Sequence, residues 1–281
     1  MYKTIDPKGY GISKVKLGSM QDYQRFFAPL VGQPISLLEL GIFKGASLHF
    51  WRDYFENATI VGLDCNPPLK VDDPNGKIHI YRGYQQDTQL LDRIVKEQAP
   101  DGFDIIIDDC SHIGRFARIS FWHLFQNHLK PGGLYAIEDW GTGYVRSWPD
   151  GRHYKPKSHL RYLRHERVLD GLSNSLSRAF PHFPRLANIP RLFISSTIPS
   201  HTSGMVGFAK ELLDACPLGY RAIPRSGSGR YFDYGISQIY VNSGLIIISK
   251  SKERDVFRID TGLTKSGNFT PQALRDIAEE D

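Results

Sequence analysis

The chain has 281 residues, of which 41% are hydrophobic and 23% charged, the balance of a folded globule rather than a disordered or low-complexity chain. That length suits one α/β domain with insertions. The 35 Lys and Arg against 30 Asp and Glu leave a net charge of +5, a mild tilt toward anionic partners that falls short of a dedicated nucleic-acid binder.

Three cysteines, Cys65, Cys110 and Cys216, are odd in number and lack metal-ligand spacing. A disulfide framework is therefore not expected, and a reducing cytosol fits. The opening "MYKTIDPKGYG" has no apolar core of a secretory signal. No stretch reaches the ~20 apolar residues of a spanning helix, so a soluble cytoplasmic protein is expected.

Residues 1–34 read as an N-terminal segment of turns with one short helix in "MQDYQRFFAPLV", which packs Phe26, Phe27 and Leu30 ahead of the main fold. Strands and helices then alternate. "ISLLELG" (35–41) is a buried strand, followed by the helical "GASLHFWRDYF"; "TIVGLD" (59–64) and "IHIYRG" (78–83) are the next strands. "TQLLDRIVKEQ" (88–98) has helical spacing, "FDIIIDD" (103–109) is the fourth strand, and "FARISFWHLFQNHL" (116–129) the next helix. "PGG" (131–133) turns the chain into a fifth strand, "LYAIED" (134–139).

Continuous apolar runs mark strands covered on both faces, hence a doubly wound α/β fold with a mostly parallel sheet. Near the C-terminus, "SQIYVNSGLIIISK" (237–250) joins two β-rich runs through "NSG", an antiparallel hairpin. The main domain is thus expected over 35–250. Within it, 140–236, rich in Arg, His, Pro, Ser and Gly, reads as a lid insertion that shapes the acceptor region. The polar tail, 251–281, ends in a short helix, "TPQALRDIAEED", with Thr270 as N-cap and Pro271 in the first turn.

"LLELGIFKGAS" places Gly41 directly after the first strand and Gly45 at the start of the next helix, where glycine permits a tight turn and close approach to a ligand. Asp64 ends the second strand, where a carboxylate can accept from a ribose diol. The loop lacks the three glycines of a nicotinamide site and carries acidic Glu39 inside the strand. This favours S-adenosylmethionine (SAM), which has a positive sulfonium and no pyrophosphate. The other reading is an ordinary strand-to-helix turn, with Asp64 capping the next segment. Gln85 stands where an adenine contact would fall, and could equally be a solvated loop residue.

The fourth and fifth strands should be neighbours, and both end in paired acids: Asp108-Asp109 and Glu138-Asp139. Carboxylates gathered in so small a space repel unless a cation sits among them. Hard oxygen donors select Mg²⁺, with Mn²⁺ or Ca²⁺ as alternatives, over Zn²⁺. Strand alternation sends Asp108 and Asp109 to opposite sides. Asp109, nearer the loop, is assigned to the metal with Glu138 and Asp139, and Asp108 to the structure on the cofactor side. His112, three residues beyond Asp109, is a suitable general base. The opposing account has these acids capping helices or pairing with Arg and Lys.

Together "LLELGIFKGASLHFWRDYFENATIVGLD", "IIIDDCSHIG" and "LKPGGLYAIEDWGTGY" resemble the metal-dependent sugar O-methyltransferases of macrolide and related glycoside biosynthesis, which are class I SAM-dependent methyltransferases. The cephalosporin hydroxylase-like family shares these cores. The resemblance covers roughly residues 35–144, and the hairpin extends it. It implies a seven-stranded Rossmann-like methyltransferase sheet and a SAM pocket at Glu39, Gly41 and Asp64. It also implies metal ligation by Asp109, Glu138 and Asp139, with His112 as base. Cys110 stands where the family usually has Gly, and Gly143 where it has Ser.

The expected acceptor is a small molecule or glycoside, and a homo-oligomer is compatible with the sequence. A second reading uses "RHYKPKSHLRYLRHER" (152–167), with six Arg or Lys against one Glu, to grip phosphate of a nucleic acid or an acidic glycolipid. The same stretch also reads as the solvated face of a lid helix. A third is a non-methyltransferase oxidase or hydroxylase, or a binding protein, on this scaffold. No two-His-one-carboxylate iron set is evident for it.

Overall fold

The structure is a computed structural model and describes residues 5–12, 19–68, 71–152, 171–172, 174–176, 178–179, 203–221 and 234–252. Its elements are α1 (Ser19–Phe27), β1 (Ser36–Leu40), α2 (Ala46–Tyr54), β2 (Thr59–Asp64), β3 (Ile78–Arg82), α3 (Thr88–Gln98), β4 (Phe103–Asp108), α4 (Gly114–Asn127), β5 (Leu129–Glu138), α5 (Gly204–Arg221), β6 (Ile236–Val241) and β7 (Leu245–Lys250). The strands form one seven-stranded sheet in the order β3-β2-β1-β4-β5-β7-β6. β1 to β5 run parallel, and β7 pairs antiparallel with both β5 and β6.

The period of two explains how one apolar run serves two cores. Leu38, Val61, Ile106, Tyr135 and Ile246 face α3, α4 and α5, while Leu37, Ile60, Ile105, Ala136 and Ile247 face α1 and α2. Each fully buried large side chain, such as Trp51 of α2 or Phe121 of α4, contributes roughly 1.5–3 kcal/mol of burial. The hairpin turn is fixed locally, because Asn242 Oδ1 accepts from the amides of Gly244 and Leu245.

Three features differ from the sequence expectation. Pro131-Gly132-Gly133 lies inside β5 rather than before it, at a register shift against β4. α4 begins at Gly114, two residues early. A whole helix, α5, rises from the stretch read as insertion and packs on α4 through Met205, Phe208 and Leu212. Residues 153–167 of the basic stretch and the helix expected at 270–281 lie outside the described residues. Among the described residues, no helix is long and apolar enough to cross a membrane.

Candidate active site

Strand order reverses between β1 and β4, the switch point at which open α/β sheets bind ligands beyond their carboxyl ends. The loops 41–45 and 109–113 flank that crevice. Gly41 has φ +84°, and a Cβ there would overlap the Asp109 carbonyl oxygen and stand 2.5 Å from Cys110 Cα. Only glycine lets the β1 loop lie against the tip of β4, where Asp109 N also donates to Leu40 O at 2.8 Å. Gly45, at φ +80°, opens α2.

Asp64 is partly exposed at the end of β2. Its Oδ2 accepts from the amides of Ile42 and Phe43, both at 3.0 Å, and its Oδ1 from Asn66 N at 2.8 Å. It therefore shapes the glycine loop from the position where a ribose would meet it. Phe43, in the same loop, is 77% exposed and has φ +47°. Glu39 is fully buried and accepts from Ser47 Oγ at 2.6 Å and, at 3.5 Å, from Trp51 Nε1, so it ties β1 to α2.

Like Glu39, two more residues assigned to the cofactor are buried rather than open to the crevice. Asp108, 3% exposed, takes both carboxylate oxygens to Gln85 Nε2 and one to Ser120 Oγ. Burial pushes its carboxyl up to about 6, opposed by His112 and by these hydrogen bonds. Gln85, 1% exposed, also accepts from Ser111 N and Oγ through Oε1. The amide thus braces the end of β4 to the loop that follows, and an adenine-facing role does not match this placement. Burial pushes the thiol of Cys110 well up, which favours its protonated form.

Asp109, the neighbour of Asp108 on the opposite side of the strand, meets His112 and Asp139. His112 Nε2 lies 3.7 Å from Asp109 Oδ1 and 3.8 Å from Asp139 Oδ2, too long for hydrogen bonds, and the three donor atoms all fall within 4.8 Å of one another. Carboxylate oxygens are the hard donors that Mg²⁺ takes, so Asp109 and Asp139 have the chemistry to hold such an ion. Glu138, at the end of β5 beside Asp139, is 4% exposed and accepts from Tyr23 OH at 2.6 Å.

The backbone is strained where the chemistry gathers. Among the described residues, positive φ outside glycine occurs at Phe43, His112 (+49°) and Asp139 (+52°), one in each of three loops at this edge. Such conformations cost of order 1–3 kcal/mol each and persist where surrounding contacts enforce them. For Asp139 the hairpin does so: its amide donates to Gly244 O at 2.8 Å, and Trp140 Nε1 donates to Asn242 O at 2.8 Å.

Sequence reasoning missed Tyr23, which reaches Glu138 from α1 across 115 positions, and Trp148, whose ring centroid is 5.7 Å from that of His112. No local signal could have found Tyr23, but the turn-forming "SWPDG" marks the loop holding Trp148. The other cluster of metal-type donors among the described residues is Asp92 with His123 and His128. There Asp92 Oδ1 already hydrogen-bonds both imidazoles, at 2.7 and 2.6 Å.

No known family profile matches the chain. The chain is 40% identical over 134 residues to the Mycinamicin VI 2''-O-methyltransferase of Micromonospora griseorubida, 45% of this chain and 32% of that protein. It is 40% identical over 129 residues to the 8-demethyl-8-(2-methoxy-alpha-L-rhamnosyl)-tetracenomycin-C 3'-O-methyltransferase of Streptomyces olivaceus, 43% of this chain and 32% of that one. The chain thus spans about a third of the length of the curated relatives it matches. The solved MycE methyltransferase in complex with Mg, SAH and mycinamycin VI superposes with a TM-score of 0.59 at 26% identity, covering 89% of this chain and 54% of that one. In sequence and in fold, the chain is a relative of the sugar O-methyltransferases of macrolide and polyketide pathways and carries the class I methyltransferase sheet.

Proposed function

We propose that the chain carries the catalytic site of a Mg²⁺-dependent, SAM-dependent O-methyltransferase acting on a hydroxyl of a sugar or glycosylated natural product. The observation that carries this reading is the convergence of Asp109, His112 and Asp139 beside the switch-point crevice. Asp109 and Asp139 would hold the ion, with Glu138 the third ligand assigned from the sequence. The glycine loop and Asp64 would hold the adenosyl donor. When bound, these groups supply a transferable methyl and a Lewis acid that lowers the pKa of an acceptor hydroxyl.

The chain's own residues do the rest. His112 Nε2 receives the hydroxyl proton, and the carboxylates 3.7 and 3.8 Å away stabilise the imidazolium that forms. Gly41 lets the donor loop and the Asp109 tip approach each other, which fixes the distance between the two halves of the reaction.

The test incubates the protein with SAM, Mg²⁺, and mycinamicin VI or the rhamnosyl tetracenomycin named in the second relative. A methylated glycoside whose formation stops in EDTA supports the reading; turnover unaffected by EDTA refutes the metal. His112→Ala is expected to lower turnover by about 10²–10⁴ while SAM affinity stays nearly constant.

A further inference from the structure

One carboxylate oxygen joins two helices next to this site. Asp150 Oδ2 accepts from Gly114 N, the first residue of α4, at 2.7 Å. It also accepts from Met205 N in the first turn of α5, at 2.8 Å. Amides at helix N-termini have no partner within the helix, and an anion there meets both their hydrogens and the positive end of the dipole. Two such ends on one oxygen form a charge-assisted clamp.

The surroundings are built for it. A Cβ on Gly114 would overlap Gly204 and stand 2.5 Å from Met205 N, while a Cβ on Gly204 would stand 2.5 Å from Asp150 Cγ. Glycine at these two positions is what lets the helix ends close on the carboxylate. The clamp lies two residues from His112, whose left-handed turn leads directly into α4. From the other side, Thr142 Oγ1 donates to His112 O at 3.2 Å, and the Trp148 ring packs against the imidazole. Thr142, Trp148 and Asp150 all belong to the segment that continues from Asp139. The His112 turn is thereby held to the strand end that supplies the second carboxylate, and to the insertion helix α5.

We propose that Asp150 is a positioning residue: by clamping the first turns of α4 and α5 it holds the His112 turn in its left-handed conformation and presents the imidazole to Asp109 and Asp139. This rests on the reading of His112 as the base. It also gives the insertion a role beyond acceptor binding, because α5 becomes part of the support of the base.

A double-mutant cycle on the full chain tests it, with SAM, Mg²⁺ and the glycoside methylated fastest in the acceptor test. Asp150→Ala is expected to lower kcat about 10- to 100-fold, with the SAM dissociation constant within about twofold. Asp150→Asn, which keeps one acceptor oxygen, should recover most of that loss. In the His112→Ala background, Asp150→Ala should cost nothing further. A second full loss there overturns the proposal and leaves His112 as base; full turnover of His112→Ala alone overturns both. Hydrogen exchange needs no acceptor and reads the clamp directly. In Asp150→Ala, the amides of Gly114 and Met205 should lose protection together, and unchanged protection at both overturns the clamp.

Discussion

Replacing Gly41 by alanine adds a methyl group 2.5 Å from Cys110 Cα and 2.6 Å from the carbonyl carbon of Asp109. Both are backbone atoms, so no side chain can swing away. Ordinary contact begins at 3.4 Å, and the two loops must therefore part by about 1 Å. The left-handed φ of +84° adds about 1–2 kcal/mol of backbone strain for a residue with a Cβ, and overpacking adds typically 1–3 kcal/mol. The expected destabilisation is about 2–5 kcal/mol, read by thermal unfolding as a drop of roughly 5–15 °C. Activity should fall further than stability explains. A displacement of about 1 Å between the donor loop and the Asp109 tip costs on the order of 10²-fold in turnover. Gly76→Ala is the control: its φ is +62°, but nothing lies within 4 Å of the added Cβ. That variant should pay only the backbone strain, about 1–2 kcal/mol, with turnover unchanged. Equal loss of activity in both variants, or a Gly41→Ala protein with unaltered turnover, would refute the argument that close approach of these loops sets the reaction distance.

Two further outcomes follow from the buried groups. Tyr23→Phe removes the hydroxyl that donates to Glu138 at 2.6 Å and leaves a buried carboxylate one donor short. It should cost about 1–3 kcal/mol in urea unfolding, and a neutral result would separate α1 from the support of β5. Asp108 has its folded pKa raised from 3.8 to about 6, so the native state binds the proton more tightly than the unfolded chain. Stability from this group is therefore highest below about pH 4 and declines as pH rises to about 6. The full penalty, about 3 kcal/mol, applies above that. The difference in unfolding free energy between wild type and Asp108→Asn should shift by about that amount from pH 4 to pH 7, and a constant difference contradicts the assignment.

The centre of the sheet was legible because β1, β2, β4 and β5 are apolar on both faces, and both faces turn out to be covered there. The "NSG" hairpin was legible for a different reason: the Asn242 side chain writes the turn locally. α5 was hidden because its apolar residues, Met205, Phe208 and Leu212, sit in a stretch crowded with Gly, Pro and Ser, and its packing partner α4 lies some 90 positions upstream. At the site, strand alternation was enough to separate Asp109 from Asp108. It could not give the destination of Asp108, because Gln85 comes from the loop after β3, separated from β4 by two strands of the sheet. Glu138 shows the same limit. The sequence named it as a ligand, but the Tyr23 hydroxyl that also holds it comes from the N-terminal helix, 115 positions away. Asp150 was invisible because its meaning lies in two helix ends that only the fold brings together.

The measurement that bears most directly on the central claim is anomalous diffraction from crystals grown with Mn²⁺ and S-adenosylhomocysteine. The account predicts one manganese peak at the carboxylates of Asp109 and Asp139, with Glu138 as third ligand and His112 Nε2 facing it. A peak at Asp92, His123 and His128 instead, or none at the ends of β4 and β5, would contradict it.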